Sequence, residues 1–130
     1  MRKVKVKICG LKRAQDIECV NRLLPDYIGF VFAKTKREVT EQQAAQLKAM
    51  LNPQLKAVGV FVNAEIDKIV RLAESRTIDI IQLHGDEDAA YCERLRLQTE
   101  LPIIKAVRVK DAGSFENLQA YPCDYLLFDT

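Results

Sequence analysis

The chain has 130 residues, 48% of them hydrophobic and 29% charged, the composition of an ordinary globular domain; a disordered or membrane-embedded protein is excluded. Its 20 Lys and Arg against 18 Asp and Glu leave a formal charge of +2. That surplus is too small and too dispersed to make nucleic acid or an acidic membrane surface the expected partner.

The N-terminal stretch from Met1 to Ile8 is basic but holds no apolar run of signal-peptide length. Nor does any later segment approach the roughly 20 apolar residues of a membrane span, so a cytoplasmic setting is expected. Short apolar, β-branched runs then recur along the chain: Val4-Val6-Ile8, Tyr27 to Phe32, Ala57 to Val62, Ile78 to Leu83, Ile103 to Val107 and Tyr125 to Phe128. Each reads as a strand buried on both faces, as in a parallel sheet.

Amphipathic stretches of helical period separate these runs. After the second strand, Thr40 is the expected N-cap, Ala44, Ala45, Leu47 and Leu51 form the apolar stripe, and Asn52-Pro53 ends the helix. Ile66, Ile69, Val70, Leu72 and Ala73 repeat the pattern, a further helix spans Ala89 to Leu97, and a weaker one spans Ser114 to Ala120. About six strands alternating with five helices predict an α/β domain over residues 1–130 with parallel strands and right-handed crossovers. No linker-like segment divides it. By length alone an open doubly wound sheet is favoured over a (β/α)₈ barrel, which needs at least ~200 residues. Neither glycine-rich nucleotide-binding loop motif is present.

Cys9, Cys19, Cys92 and Cys123 are far apart with no Cys-x-x-Cys pair, and one histidine does not complete a zinc set at the usual spacing. Reduced thiols without a disulfide framework or a structural metal are expected. Cys19 and Cys92 fall within helical patterns and are expected in the core.

In parallel α/β folds the carboxyl ends of the strands face the ligand, so polar residues there are the candidates. They are Lys7-Ile8-Cys9-Gly10, Lys34-Thr35-Lys36-Arg37, Asn63, Gln82-Leu83-His84-Gly85 and Asp129-Thr130. Cys9, where a strand meets a glycine turn, is either a base or nucleophile at the mouth of the site or a small buried residue. Asp129 follows an apolar run, where partial desolvation favours its protonated form, or else it serves as a helix cap or a solvated charge. Arg37 can hold a carboxylate through two parallel hydrogen bonds, or belongs to a solvated basic loop. His84 either touches a ligand or satisfies local backbone groups.

Taken in order, these segments resemble the phosphoribosylanthranilate isomerases. Lys7-Ile8-Cys9-Gly10-Leu11 is similar to that family's opening signature, and Gly29 to Arg37 to its second-strand motif, with Thr35 where Ser is usual. Val58 to Asn63, Ile81 to Gly85, Ile104 to Val107 and Leu126 to Thr130 resemble the next four strand motifs. The resemblance implies a partial (β/α)₈ barrel instead of an open sheet, and an Amadori rearrangement of N-(5′-phosphoribosyl)anthranilate without cofactor or metal. It further implies Asp129 as general acid, Cys9 as general base, Arg37 as ligand of the anthranilate carboxylate and His84 as a residue lining the site.

A complete barrel implies roughly another 70 residues, with strands seven and eight and the loops that bind the substrate phosphate. Six strands are expected to leave the first and last as open edges that invite self-association or a rearranged sheet. Two other readings are a non-catalytic α/β module and an unrelated thiol enzyme using Cys9 as nucleophile.

Overall fold

The computed structural model describes residues 4–115, 118 and 121–129. In chain order they form β1 (Lys7–Cys9), α1 (Ala14–Leu23), β2 (Tyr27–Val31), α2 (Glu41–Met50), β3 (Lys56–Phe61), α3 (Ile66–Glu74), β4 (Ile80–Leu83), α4 (Ala89–Arg96), β5 (Ile103–Arg108), a 3-10 turn at Ala112–Phe115, and β6 (Tyr125–Asp129). The sheet runs β1 to β6 in sequence order, and every neighbouring pair is parallel. Such sequential order, with helices on one side only, is that of a barrel wall; a doubly wound sheet reverses direction at a switch point.

Period-two alternation explains why most of the strands carry apolar residues on both faces. One set of side chains, including Ile28, Phe30, Phe61, Ile81, Leu83 and Ile103, packs outward against the helices. Each helix answers with a buried pair: Ile17 and Val20, Ala44 and Leu47, Ile69 and Leu72, Cys92 and Leu95. The alternate set, Val31, Val58 and Val60 with Cys9, Tyr27, Ala33 and Ile80, forms a second cluster on the inner face.

That inner face is concave. Lys7 on β1 hydrogen-bonds Gln82 on β4, three strands away. In a flat sheet those strands would stand roughly 14 Å apart at about 4.8 Å per step, too far for the two side chains to meet comfortably, so the sheet must curl.

Local signals act as their chemistry demands. Thr40 caps α2, accepting from the Gln43 N–H at 3.0 Å while Gln43 Oε1 accepts from the Thr40 N–H at 2.8 Å, a reciprocal capping box. At the opposite end of the barrel wall from the strand carboxyl ends, an aspartate precedes each even-numbered strand and accepts from a backbone N–H beside the strand before it. Asp26 accepts from Val6 at 2.8 Å, Asp79 from Ala57 at 2.8 Å and Asp124 from Ile103 at 2.8 Å. These three clamps tie the strands in pairs at the end where barrel folds concentrate stability.

Two expectations need correction. Val4 and Val6 are 86% and 50% exposed and precede the strand, because only Lys7–Cys9 pairs with β2. Cys19 is exposed whereas Cys92 is buried, since residue 19 falls outside the stripe that Ile17 and Val20 bury. Of the fifth helix, expected over Ser114 to Ala120, residues 116–117 and 119–120 lie outside the described residues, as does Thr130; a 3-10 turn spans Ala112–Phe115.

Candidate active site

Parallel order brings the carboxyl ends of all six strands to one rim, and with them Cys9, Gln82, His84 and Asp129. In register, Cys9 faces Gly29 and Asp129 faces Arg108. Cys9 shares the inner-face parity of Lys7, two residues back, and is only partly buried.

Arg37 comes to Cys9 through a turn. Its own N–H donates to Thr35 Oγ1 at 3.1 Å, and Lys12 Nζ donates to the Lys36 carbonyl at 3.1 Å. The guanidinium Nη1 then donates to the Cys9 carbonyl at 3.2 Å. Gly10 makes room for it: with φ +87° it adopts a conformation side chains disfavour, and a Cβ there would lie 2.5 Å from Arg37 Nη1. Arg37 is therefore held beside Cys9 while remaining exposed.

The second pair is His84 and Asp129. His84 Nε2 lies 3.2 Å from Asp129 Oδ2, with the two side chains 32% and 52% exposed. The carboxylate is thus half open to solvent. What orders it is the imidazole. His84 Nδ1 in turn lies 3.0 Å from Gln82 Nε2, and Gln82 Oε1 accepts from Lys7 Nζ. Burial draws the pKa of Lys7 below its ordinary value, against an opposing attraction between its ammonium and a Cys9 thiolate.

Beneath His84 the β4–α4 loop is held by a buried ion pair that sequence reasoning missed. Lys105 and Glu87 side chains are 4% and 0% exposed, with Nζ 3.1 Å from Glu87 Oε1. Glu87 also accepts from the backbone N–H groups of Gly85 at 2.9 Å and Asn63 at 2.8 Å, and Lys105 Nζ donates to the Gly85 carbonyl at 2.7 Å. Every buried charge thus has partners, the condition under which such a pair is tolerated. The signal was a lysine within the otherwise apolar run Ile103 to Val107, since a charge on a strand buried on both faces requires an opposite one nearby.

Two cavities open at this rim. One, of about 440 Å³, is lined by His84, Asp129, Arg108, Lys110, Tyr121 and Asn63 among others. The other, about 800 Å³, lies between the β2–α2 loop and α3 and touches none of the four candidates. The larger space is therefore away from the chemistry, and Cys9 with Arg37 stands outside both. Burial pushes the Cys92 and Cys123 thiols up, which makes them poor nucleophiles. Among the described residues, no group of three His, Cys, Asp or Glu side chains is placed to hold a metal ion.

A family model for N-(5′-phosphoribosyl)anthranilate isomerase matches residues 6–130. The isomerase of Lachnoclostridium phytofermentans is 47% identical over 127 residues, covering 98% of this chain and 58% of the relative. That of Endomicrobium trichonymphae is 48% identical over 126 residues, covering 97% and 62%. The chain thus spans about three fifths of the length of these curated relatives. A crystal structure of the Thermotoga maritima isomerase, in monomers generated from a dimeric enzyme, superposes with a TM-score of 0.84 at 34% identity, covering 98% of this chain and 65% of that one. A phosphoribosylanthranilate isomerase in complex with reduced 1-(o-carboxyphenylamino)-1-deoxyribulose 5-phosphate gives 0.83 at 34% identity, covering 98% and 66%.

Proposed function

The chain belongs to the N-(5′-phosphoribosyl)anthranilate isomerase family, and on that premise we propose that it carries the acid, base and carboxylate-binding groups of the Amadori rearrangement in tryptophan synthesis. The observation that carries this reading is the pairing at one rim of Cys9 with Arg37 and of Asp129 with His84. Phosphoribosylanthranilate is a small anionic molecule with a carboxylate at one end, and each group has a matching task.

Asp129 donates a proton to the furanose ring oxygen as the C1′–O bond breaks, and the anilinic nitrogen supplies the electrons that make a protonated Schiff base. Cys9, as thiolate, then removes the proton on C2′; the electron pair moves into the C1′–C2′ bond and onto nitrogen, forming the enol-amine. Tautomerisation to the ketone completes an isomerisation in which nothing is oxidised from outside. Abstraction beside an iminium needs only a modest base, and ring opening needs a positioned acid. Arg37 holds the anthranilate carboxylate through two parallel N–H bonds from the edge of its guanidinium, and its tether to the Cys9 carbonyl sets the substrate's reacting carbon near the thiol. His84 lines the site beside Asp129.

Loss of substrate fluorescence on adding the chain to fresh phosphoribosylanthranilate tests the reading, with the chain alone and with a peptide supplying strands seven and eight of the family barrel. Turnover abolished in Cys9→Ala and in Asp129→Asn is the expected result. Equal rates in parent and both variants would refute the assigned roles.

We propose two properties of the setting as well. Four free thiols support a reducing, cytoplasmic environment, and no described helix is long and apolar enough to cross a membrane. β1 and β6 stand at the two ends of the sheet, and Tyr125 is 62% exposed, which supports self-association along those strands. Sedimentation velocity across concentration is expected to show oligomers; a monomer throughout, without binding of an apolar dye, would count against it.

A further inference from the structure

We infer that Lys7 and Gln82 are positioning residues that set the tautomer of His84, so that its Nε2–H donates to Asp129. Hydrogen-bond direction is forced from one contact to the next along a series of side chains. An ammonium group only donates, so the Gln82 atom that meets Lys7 is the carbonyl Oε1. The amide nitrogen of Gln82, which also only donates, is thereby turned to His84 Nδ1 at 3.0 Å. Nδ1 must then accept, and it bears no proton. A neutral imidazole with a bare Nδ1 carries its proton on Nε2, 3.2 Å from Asp129 Oδ2.

Imidazole tautomers and amide orientations are ordinarily ambiguous. Here the ambiguity is removed at the far end by a group that has no acceptor. Lys7 and Gln82 lie on the inner face of β1 and β4, and the curled sheet brings them together. Flipping the Gln82 amide would set its NH₂ against the Lys7 ammonium and its carbonyl against the bare Nδ1, which places like with like at both ends.

The consequence for chemistry rests on the reading of Asp129 as the acid that opens the ring. With Oδ2 occupied by the His84 N–H, the proton that Asp129 delivers resides on Oδ1. After transfer to the ring oxygen, the carboxylate left behind keeps a donor already aimed at it, so the developing charge meets a dipole that does not need to reorient. Lys7 and Gln82 touch no reacting atom; they act through His84.

Because the chain contains one histidine, its imidazole nitrogens can be observed alone. Long-range ¹H–¹⁵N correlation on ¹⁵N-histidine-labelled chain, at a pH where the ring is neutral, is expected to show Nε2 protonated and Nδ1 bare. Lys7→Met frees the Gln82 amide to rotate, and the two nitrogen shifts are expected to move toward each other as the Nδ1–H form mixes in; Lys7→Arg, which keeps a donor, is expected to restore the parent pattern. Gln82→Glu puts an acceptor opposite Nδ1 and is expected to protonate that nitrogen. An Nδ1–H form in the parent, or an unchanged spectrum in folded Lys7→Met or Gln82→Glu, overturns the inference. None of these spectra requires turnover, so an inactive chain would bear on the functional reading alone.

Discussion

The sulfur of Cys9 fills the space that a side chain at residue 29 would need: a Cβ on Gly29 would stand 2.7 Å from Sγ. The two residues face one another in the β1–β2 register, so the missing side chain on β2 is what seats the thiol on the inner face. Gly29→Ala must therefore push the sulfur aside while leaving the strand intact. We expect a loss of turnover on the order of 10²-fold if the displacement nears 1 Å, with little change in urea midpoint and an altered Cys9 alkylation rate by peptide mass mapping. An unchanged alkylation rate would mean that the thiol is not seated there.

Gly10 is the second position where absence of a side chain matters, because φ is +87° and Arg37 lies over it. Gly10→Ala combines a disfavoured backbone, costing roughly 1–2 kcal/mol, with displacement of the guanidinium. The urea midpoint is expected to fall, and KM to rise more than kcat falls, if the proposed role of Arg37 as carboxylate ligand without proton transfer holds. A KM equal to the parent's would remove Arg37 from carboxylate binding.

Lys105→Met leaves Glu87 as a buried charge without its cation. Removing one member of such a pair costs roughly 3–5 kcal/mol, whereas Lys105→Met combined with Glu87→Gln is expected to recover part of that loss. A double-mutant cycle by urea unfolding measures the coupling. Additive costs would show that the two side chains hold the loop independently.

Acid stability should carry the signature of the clamps. Partial burial works to raise the pKa of Asp124, but the Ile103 N–H and the Arg96 guanidinium, 2.5 Å away, outweigh it and hold the carboxyl below its ordinary value. A carboxyl whose pKa is lower folded than unfolded, where it is about 3.9, stabilises the fold above that value and ceases to as pH falls through the folded pKa. The parent's advantage over Asp124→Asn in urea midpoint is therefore expected to be full at pH 7 and to shrink below about pH 4. An advantage independent of pH would assign the effect to packing.

At the alkaline end, burial, reinforced by the charge of Glu87, pushes the Tyr91 phenol up to about 12, and its O–H donates to the Ala64 carbonyl at 2.6 Å. Ultraviolet titration of the folded chain is expected to show a late phenolate phase near that pH. Tyr91→Phe should remove it, and urea should return it to the ordinary value of about 10. A late phase that survives Tyr91→Phe would belong to another tyrosine.

Much of this architecture was legible in the residues. The run Ala57 to Val62 is apolar at every position because both faces of its strand are covered, and Thr40 with Gln43 marks a helix start by chemistry confined to four residues. The first strand was overread because apolar alternation at Val4 and Val6 says nothing about whether a partner lies alongside. The three aspartate clamps escaped notice, as each looks like an ordinary turn residue until the neighbouring strand is in place.

The sequence by itself determined the alternation of strands and helices, the family, and which residues share a strand face: Lys7 with Cys9, and Gln82 with His84, are two apart and so point the same way. Only the tertiary structure decided how those faces meet. Lys7 and Gln82 are 75 residues apart and His84 and Asp129 are 45 apart, and they come together because the six-stranded sheet curls. Hydrogen-bond direction passes from one side chain to the next only once that curvature has brought donor to acceptor.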